Sequence, residues 1–178
     1  MKNLIWLGCI ILGVYLIAHA KFALAQMIPR QKDDAQVLGL IEAEDFNEIH
    51  LAQLAEQKNI DQPILAYAWG LERYQRKNLD DLRKLSSELG INHVSNNGQI
   101  VYMRRRGEQE IFNLAPLDQD DFSREFIWDM ITGHSKVLSW IDSQDVHHAE
   151  VRKFLEETMR HITFQLKMAQ QIREKVLR

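Results

Sequence analysis

The sequence predicts an all-α protein: an antiparallel four-helix bundle with a long middle connection, preceded by an N-terminal signal peptide. Only 8 Gly and 3 Pro occur among 178 residues, so long stretches run without a helix breaker. In four of these stretches the apolar residues recur at steps of three and four, which is the period of one helix face. The predicted helices cover about 33–58, 62–89, 119–142 and 146–177, within a domain at 33–177.

Residues 1–25 have the order of an export signal. Lys2 supplies a positive start, residues 4–18 are nearly all apolar, and small residues at cleavage spacing follow at 18–20 and 23–25. The apolar run of about 15 residues is shorter than the roughly 20 that a membrane-spanning helix needs. We therefore expect a cleaved signal peptide and a periplasmic or outer-membrane-associated protein. An uncleaved signal anchor, which would give membrane association through the N-terminus, is the alternative.

Composition narrows the function classes. Cys9 is the only cysteine and lies in the apolar run, so no disulfide framework or cysteine-based zinc site is expected. The formal net charge of −3 argues against a nucleic-acid partner, because such proteins neutralise phosphates with Lys and Arg. No phosphate loop, nucleotide fingerprint or nucleophile elbow occurs. The sequence leaves a homo-oligomer and the identity of any other partner open.

Residues 91–117 form the long connection between the second and third predicted helices. Asn97-Gly98 is typical of a turn, and the apolar runs on either side of Gly107 predict a short β-hairpin. The three arginines at 104–106 are interpreted as part of a solvated loop, since recognition of a polyanion usually needs a larger basic patch. Short turns join the first two helices and the last two, which is the layout of a ferritin-like bundle.

One histidine lies on the apolar stripe of the third predicted helix. His134 falls between Met130 and Val137, which places an imidazole in the interior. We predict a buried polar layer that consists of Glu48, Gln75, His134 and Gln165. Buried polar groups need partners, and these four side chains complement one another as donors and acceptors. The layer is therefore interpreted as a structural hydrogen-bonded network.

The alternative for the same region is a mononuclear metal site. Its candidate ligands are Glu44, Glu48, His134 and His161, which are ligand types that divalent metals use. A di-iron centre is not expected, because such centres use Glu-x-x-His pairs and the sequence contains none. No catalytic residue and no organic cofactor site is identified, so the expected cofactor is a divalent metal or none.

Six short motifs carry a family resemblance over about 34–171. They lie at 46–58, 67–68, 89–90, 122, 130–134 and 166–169. Together they resemble an exported bacterial family of unknown function that has a ferritin-like helical bundle and is often labelled predicted outer-membrane protein. The resemblance implies a Glu in the first helix and a His in each of the other three.

The chain departs from this family pattern at three places. Glu48 and His134 match it, but Gln75 and Gln165 stand where the family has histidines, and Gly133 stands where it has Asp. Gln is a poorer ligand for transition metals than imidazole or carboxylate, which weakens the metal role that the fold implies. The expected function is therefore an exported, non-enzymatic, ferritin-like binding or stress-associated bundle. A mononuclear metal-binding or redox protein of ferritin-like descent is the alternative.

We predict removal of residues 1–20 or 1–25 during export, because small residues follow the apolar run at the spacing of cleavage sites. Intact-mass spectrometry of protein taken from the cell envelope should then show an N-terminus at Lys21 or Gln26. A chain that still begins at Met1, and that only detergent extracts, would favour the signal anchor.

Overall fold

The computed structural model describes residues 34–92 and 97–176, and the predicted signal segment lies outside them. The described residues form five α-helices and no strand: α1 (Asp34–Glu56), α2 (Gln62–Leu89), α3 (Gly98–Leu114), α4 (Gln119–Asp142) and α5 (Ala149–Val176). The predicted all-α class is confirmed for this part of the chain. None of the described helices is long and apolar enough to cross a membrane.

Helix α1 is buried over most of its surface. It packs against α2 and against α3, while α4 packs against α5 and α2 also contacts α5. Leu38, Ala43 and Ala55, which point in three different directions around the α1 axis, are each completely buried. Because neighbours surround it, α1 cannot turn its polar residues towards water, and several of its acidic side chains lie in the interior.

The predicted β-hairpin and solvated loop within 91–117 are wrong, because residues 98–114 form helix α3. Ile100, Gly107 and Leu114 repeat at a spacing of seven residues and lie on the buried face of this helix. A seven-residue repeat returns to the same face of a helix after two turns. This spacing explains why the segment is helical in spite of its turn-like start.

Both ends of α3 are held by side chains. Asn97 is the N-cap, and its side-chain oxygen accepts a hydrogen bond from the backbone N–H of Gln99 at 2.8 Å. At the other end, Lys58 Nζ donates to the carbonyl oxygens of Ala115 at 2.6 Å and Leu117 at 3.0 Å. The Asn-Gly pair that was interpreted as a turn therefore begins a helix.

Gly107 allows α3 to approach α1 closely. A Cβ added at this position would lie 2.2 Å from the Cγ and Oδ1 atoms of Asn47 on α1. Asn47 donates from Nδ2 to the carbonyl oxygen of Met103 at 3.0 Å, which ties the two helices together. The close contact also sets the position of Arg106, the residue next to Gly107.

The start of α1 is held by the segment that leads into α5. The buried Asp34 carboxylate accepts hydrogen bonds from the backbone amides of His147 at 2.8 Å and His148 at 3.0 Å. The Nδ1 atom of His148 lies 2.6 Å from the same carboxylate. Burial by itself would raise the pKa of Asp34, but these amides and the imidazole together lower it.

We predict that Gly107→Ala lowers the free energy of unfolding by about 1–3 kcal/mol relative to Gly133→Ala, because the new methyl group displaces Asn47 from Met103. A Cβ at Gly133, also inside a helix, meets no atom within 4 Å. The Gly133→Ala variant is therefore the control: it changes the helix propensity in the same way but introduces no steric clash. Urea denaturation measures the difference, and equal stabilities would mean that α3 does not pack on α1 at this point.

Candidate functional site

The four residues predicted to form a buried polar layer lie together inside the bundle. Glu48 on α1, Gln75 on α2, His134 on α4 and Gln165 on α5 are each no more than 6% exposed. The Gln75 amide nitrogen donates a hydrogen bond to Glu48, and His134 Nε2 lies 3.1 Å from Gln165 Oε1. His134 Nδ1 lies 3.8 Å from Glu48 Oε1, which connects the two pairs. We call these four residues the polar layer.

The contact with Gln165 sets the hydrogen-bonding role of His134. A carbonyl oxygen can only accept, so the bond to Gln165 Oε1 requires a proton on His134 Nε2. The other ring nitrogen, Nδ1, is buried and has no hydrogen-bond partner. The Nε2 atom of His134 is therefore hydrogen-bonded within the protein, whereas the Nδ1 atom faces Glu48 and makes no hydrogen bond.

Unpartnered polar atoms concentrate around the polar layer. Among the described residues, five buried side-chain atoms have no hydrogen-bond partner: Glu44 Oε2, Tyr67 OH, Gln75 Oε1, Arg106 Nε and His134 Nδ1. Two belong to the layer itself, and the charge of Glu48 acts on both Tyr67 and Glu44. Folded proteins leave few buried polar groups unsatisfied, so their concentration at one place marks a functional candidate.

A cavity of about 110 Å³ reaches the polar layer between α1, α3 and α4. Four carboxylates, two basic side chains and one imidazole line it: Glu44, Glu48, Glu110, Asp129, Arg106, Lys136 and His134. We call it the acidic cavity. Because three helices supply its carboxylates, the cavity depends on α3 packing against α1.

Burial raises the pKa values of carboxyl groups in the acidic cavity. Burial first, and the charge of Glu48 next, raise the pKa of Glu44 to about 7, against the opposing charge of Arg106. Burial and the charge of Glu110 raise the pKa of Asp129 to about 6. Burial also raises the pKa of Glu110 itself. Near neutral pH Glu44 is therefore only partly ionised, whereas Asp129 is largely ionised.

Arg106 pairs with two of the carboxylates. Its Nη2 atom lies 3.4 Å from Glu44 Oε1, and its Nε atom lies 3.1 Å from Glu110 Oε1 as an ion pair without hydrogen-bond geometry. The contact of Arg106 with these interior carboxylates was not predicted, because residues 104–106 were interpreted as a solvated loop. The seven-residue spacing of Ile100, Gly107 and Leu114 was the feature of the sequence that could have indicated a helix here.

A second buried network beside the polar layer was also not predicted. Asn78 on α2 donates from Nδ2 to Asp45 Oδ2 at 2.8 Å, and its Oδ1 accepts from Thr158 Oγ1 at 3.1 Å. Burial raises the pKa of Asp45 well above its usual range, although the Asn78 hydrogen bond opposes this. Asn78 and Thr158 lie on apolar helix stripes, where an isolated polar residue is the sequence signal for such a network.

The structure brings together three of the four predicted metal ligands. Glu44, Glu48 and His134 line the acidic cavity. His161 is exposed and stacks on Tyr74 instead, with ring centroids 4.1 Å apart. Over residues 34–92 and 97–176, no group of three His, Cys, Asp or Glu side chains has an arrangement that could hold a metal ion.

The fold and the site define an all-helical bundle protein with a polar layer and an acidic cavity in its interior. The chain belongs to the family described as domain of unknown function DUF4142, which matches residues 20–172. The prediction that it belongs to a family of unknown function is thereby confirmed. No curated protein and no solved structure matches the chain.

We predict that His134→Ala lowers the free energy of unfolding by about 1–3 kcal/mol, because it leaves Gln165 unpartnered and opens a void. His134→Gln should cost less, since an amide can still donate to Gln165 Oε1. Denaturant unfolding curves of both variants provide the measurement. If both variants match the wild-type protein, the polar layer does not contribute to stability.

Proposed function

We propose that this chain is an exported, non-enzymatic protein of the cell envelope with a ferritin-like helical bundle, and that it binds a small organic cation in the acidic cavity. Export to a periplasmic or outer-membrane-associated location is supported by Lys2 and the apolar run at 4–18. The ferritin-like arrangement is supported by two helix pairs, α1–α2 and α4–α5, each joined by a short connection.

The convergence of four carboxylates on one small cavity carries the proposal. Two basic side chains face them, so the lining has more potential negative charge than its own residues neutralise. Burial raises the pKa values of Glu44, Glu110 and Asp129, which means that ionising these groups in the folded protein is costly. A cation in the cavity would reduce that cost, so the lining favours a positively charged ligand.

The ligand class follows from the size and chemistry of the acidic cavity. A volume of about 110 Å³ admits a small molecule and excludes a large one. The guanidinium of Arg106 already pairs with Glu44 and Glu110, which supports an organic cation as the ligand of these carboxylates. We therefore propose a small protonated amine.

A single divalent metal ion is the second candidate ligand. The unpartnered Glu44 Oε2 and His134 Nδ1 atoms favour it, since both are metal-ligand atoms and both residues line the acidic cavity. Glu44, His134 and Glu48 would together supply three ligands. Their side chains are not arranged to hold a metal ion in the described part of the chain, so binding would require a change of side-chain rotamer. Gln75 and Gln165 would add little, because amides are poor ligands for transition metals.

We predict that putrescine binds untagged mature protein about tenfold more tightly at pH about 7.5 than at pH about 5.5, because binding requires Glu44 and Asp129 to lose protons. The sign follows from their raised pKa values, which leave both groups largely protonated at the lower pH. Isothermal titration calorimetry in buffers of different ionisation enthalpy should show proton release on binding near pH 6.5, roughly midway between the two pKa values.

Two variants on α1 control this experiment. Glu44→Gln should weaken putrescine binding and reduce proton release, whereas Glu56→Gln, at an exposed position outside the cavity, should change neither. Binding of Zn²⁺ but not putrescine, abolished by His134→Gln, would establish the second candidate. If neither cation binds and Glu44→Gln only raises stability, the acidic cavity is structural and the proposed function is wrong.

A further inference from the structure

A separate groove lies between α2 and α5. Its volume is about 460 Å³, which falls in the range of small-molecule sites. Leu71, Phe164 and Met168 contribute to a largely apolar wall, and Phe164 is 62% exposed. A flexible Met beside aromatic and aliphatic side chains is suited to ligands of variable shape. We call this feature the α2–α5 groove.

The charge of the α2–α5 groove is opposite to that of the acidic cavity. Arg73 and Lys77 are the charged residues in its lining, and no acidic residue lines it. The chain as a whole has a formal net charge of −3, so a lining that holds only basic charge departs from the average of the protein. Lys77 pairs with Asp81 one turn further along α2, whereas Arg73 has no ion-pair partner among the described residues.

Gly70 and Tyr67 of α2 also line the groove. A Cβ added at Gly70 would meet no atom within 4 Å, so the backbone of α2 is open to the groove there. Tyr67 also lines the groove, is 2% exposed, and has a hydroxyl group without a hydrogen-bond partner. This hydroxyl is fully buried and feels the charge of Glu48 in the polar layer, so what the groove itself offers is an apolar surface and basic side chains.

We infer that the α2–α5 groove binds a monomeric amphipathic organic anion, with its apolar tail against the groove wall and its acidic group near Arg73 and Lys77. Charge complementarity selects an anion, and the aliphatic and aromatic lining selects an apolar tail. The inference is independent of the proposed cation site, because the groove and the acidic cavity share no lining residue.

Three ligands with the same tail and different head groups test the charge preference. Isothermal titration calorimetry is carried out on the mature chain with decanoate, decylammonium and decyl glucoside, each below its micelle concentration. Decanoate should bind at least about tenfold more tightly than either of the others, since Arg73 and Lys77 attract only the carboxylate. Equal or tighter binding of decylammonium would overturn the inference.

Two pairs of variants locate the binding site. Gly70→Leu should fill the groove and weaken decanoate at least about tenfold, while its better helix propensity supports folding. Gly98→Leu, at a helical position with equally open space on α3, should not change binding. Arg73→Gln with Lys77→Gln should weaken decanoate about fivefold or more, as expected for loss of exposed charge contacts. Arg83→Gln with Lys84→Gln removes the same charge from α2 outside the groove and should have no effect.

Circular dichroism of each variant checks that the helices remain folded. Decanoate binding that Gly70→Leu leaves unchanged in a folded protein would place the ligand elsewhere and overturn the inference. Binding to anionic phosphatidylglycerol vesicles without binding to monomeric decanoate would also overturn it, since the occupant would then be a membrane surface.

Discussion

Helix α1 buries three acids along its middle, Glu44, Asp45 and Glu48, in addition to Asp34 at its start, and the polar interior of the bundle follows from the need to partner these three. A buried charge is costly unless it is paired or hydrogen-bonded. The amides of Gln75 and Asn78 on α2 donate to Glu48 and Asp45, and an arginine of α3 pairs with Glu44. Each helix that covers α1 thus brings a donor to one of its acids.

The incomplete partnering of these acids links stability to pH. Glu44 has a pKa raised from an ordinary 4.5 to about 7, so the folded protein binds its proton more tightly than the unfolded chain does. The contribution of Glu44 to stability therefore falls as the pH rises between these two values and is constant above them. Asp34 acts in the opposite sense, because its pKa is lowered and its contribution is lost as the pH falls through the lowered value. Ionisation of Glu44 thus opposes folding as the pH rises towards about 7, and a cation bound beside its carboxylate would reduce that effect.

The polar layer could be predicted because His134, Gln75 and Gln165 interrupt helical apolar stripes, and the period of a helix alone identifies such positions. Helix α3 could not, because its start has turn chemistry and three consecutive arginines stand in its middle. The inward turn of Arg106 depends on the rotation of α3 about its axis, which is set by the close contact at Gly107 rather than by local sequence. The prediction for His161 failed for a related reason. Its place beside an apolar stripe of α5 suggested an inward-facing metal ligand, but the rotation of α5 about its axis leaves this side chain exposed.

The acidic cavity depends on enclosure of Glu44 and Asp129 beneath α3, and the ionisation of these two groups measures that enclosure most directly. Carbon-detected NMR of the side-chain carboxyl groups, recorded on the purified protein without ligand across a pH series, gives each pKa separately. Enclosure predicts that Glu44 titrates at about 7 and Asp129 at about 6. Titration of both groups near their ordinary values of 4.5 and 3.8 would show that water reaches them freely, and would contradict the buried acidic cavity.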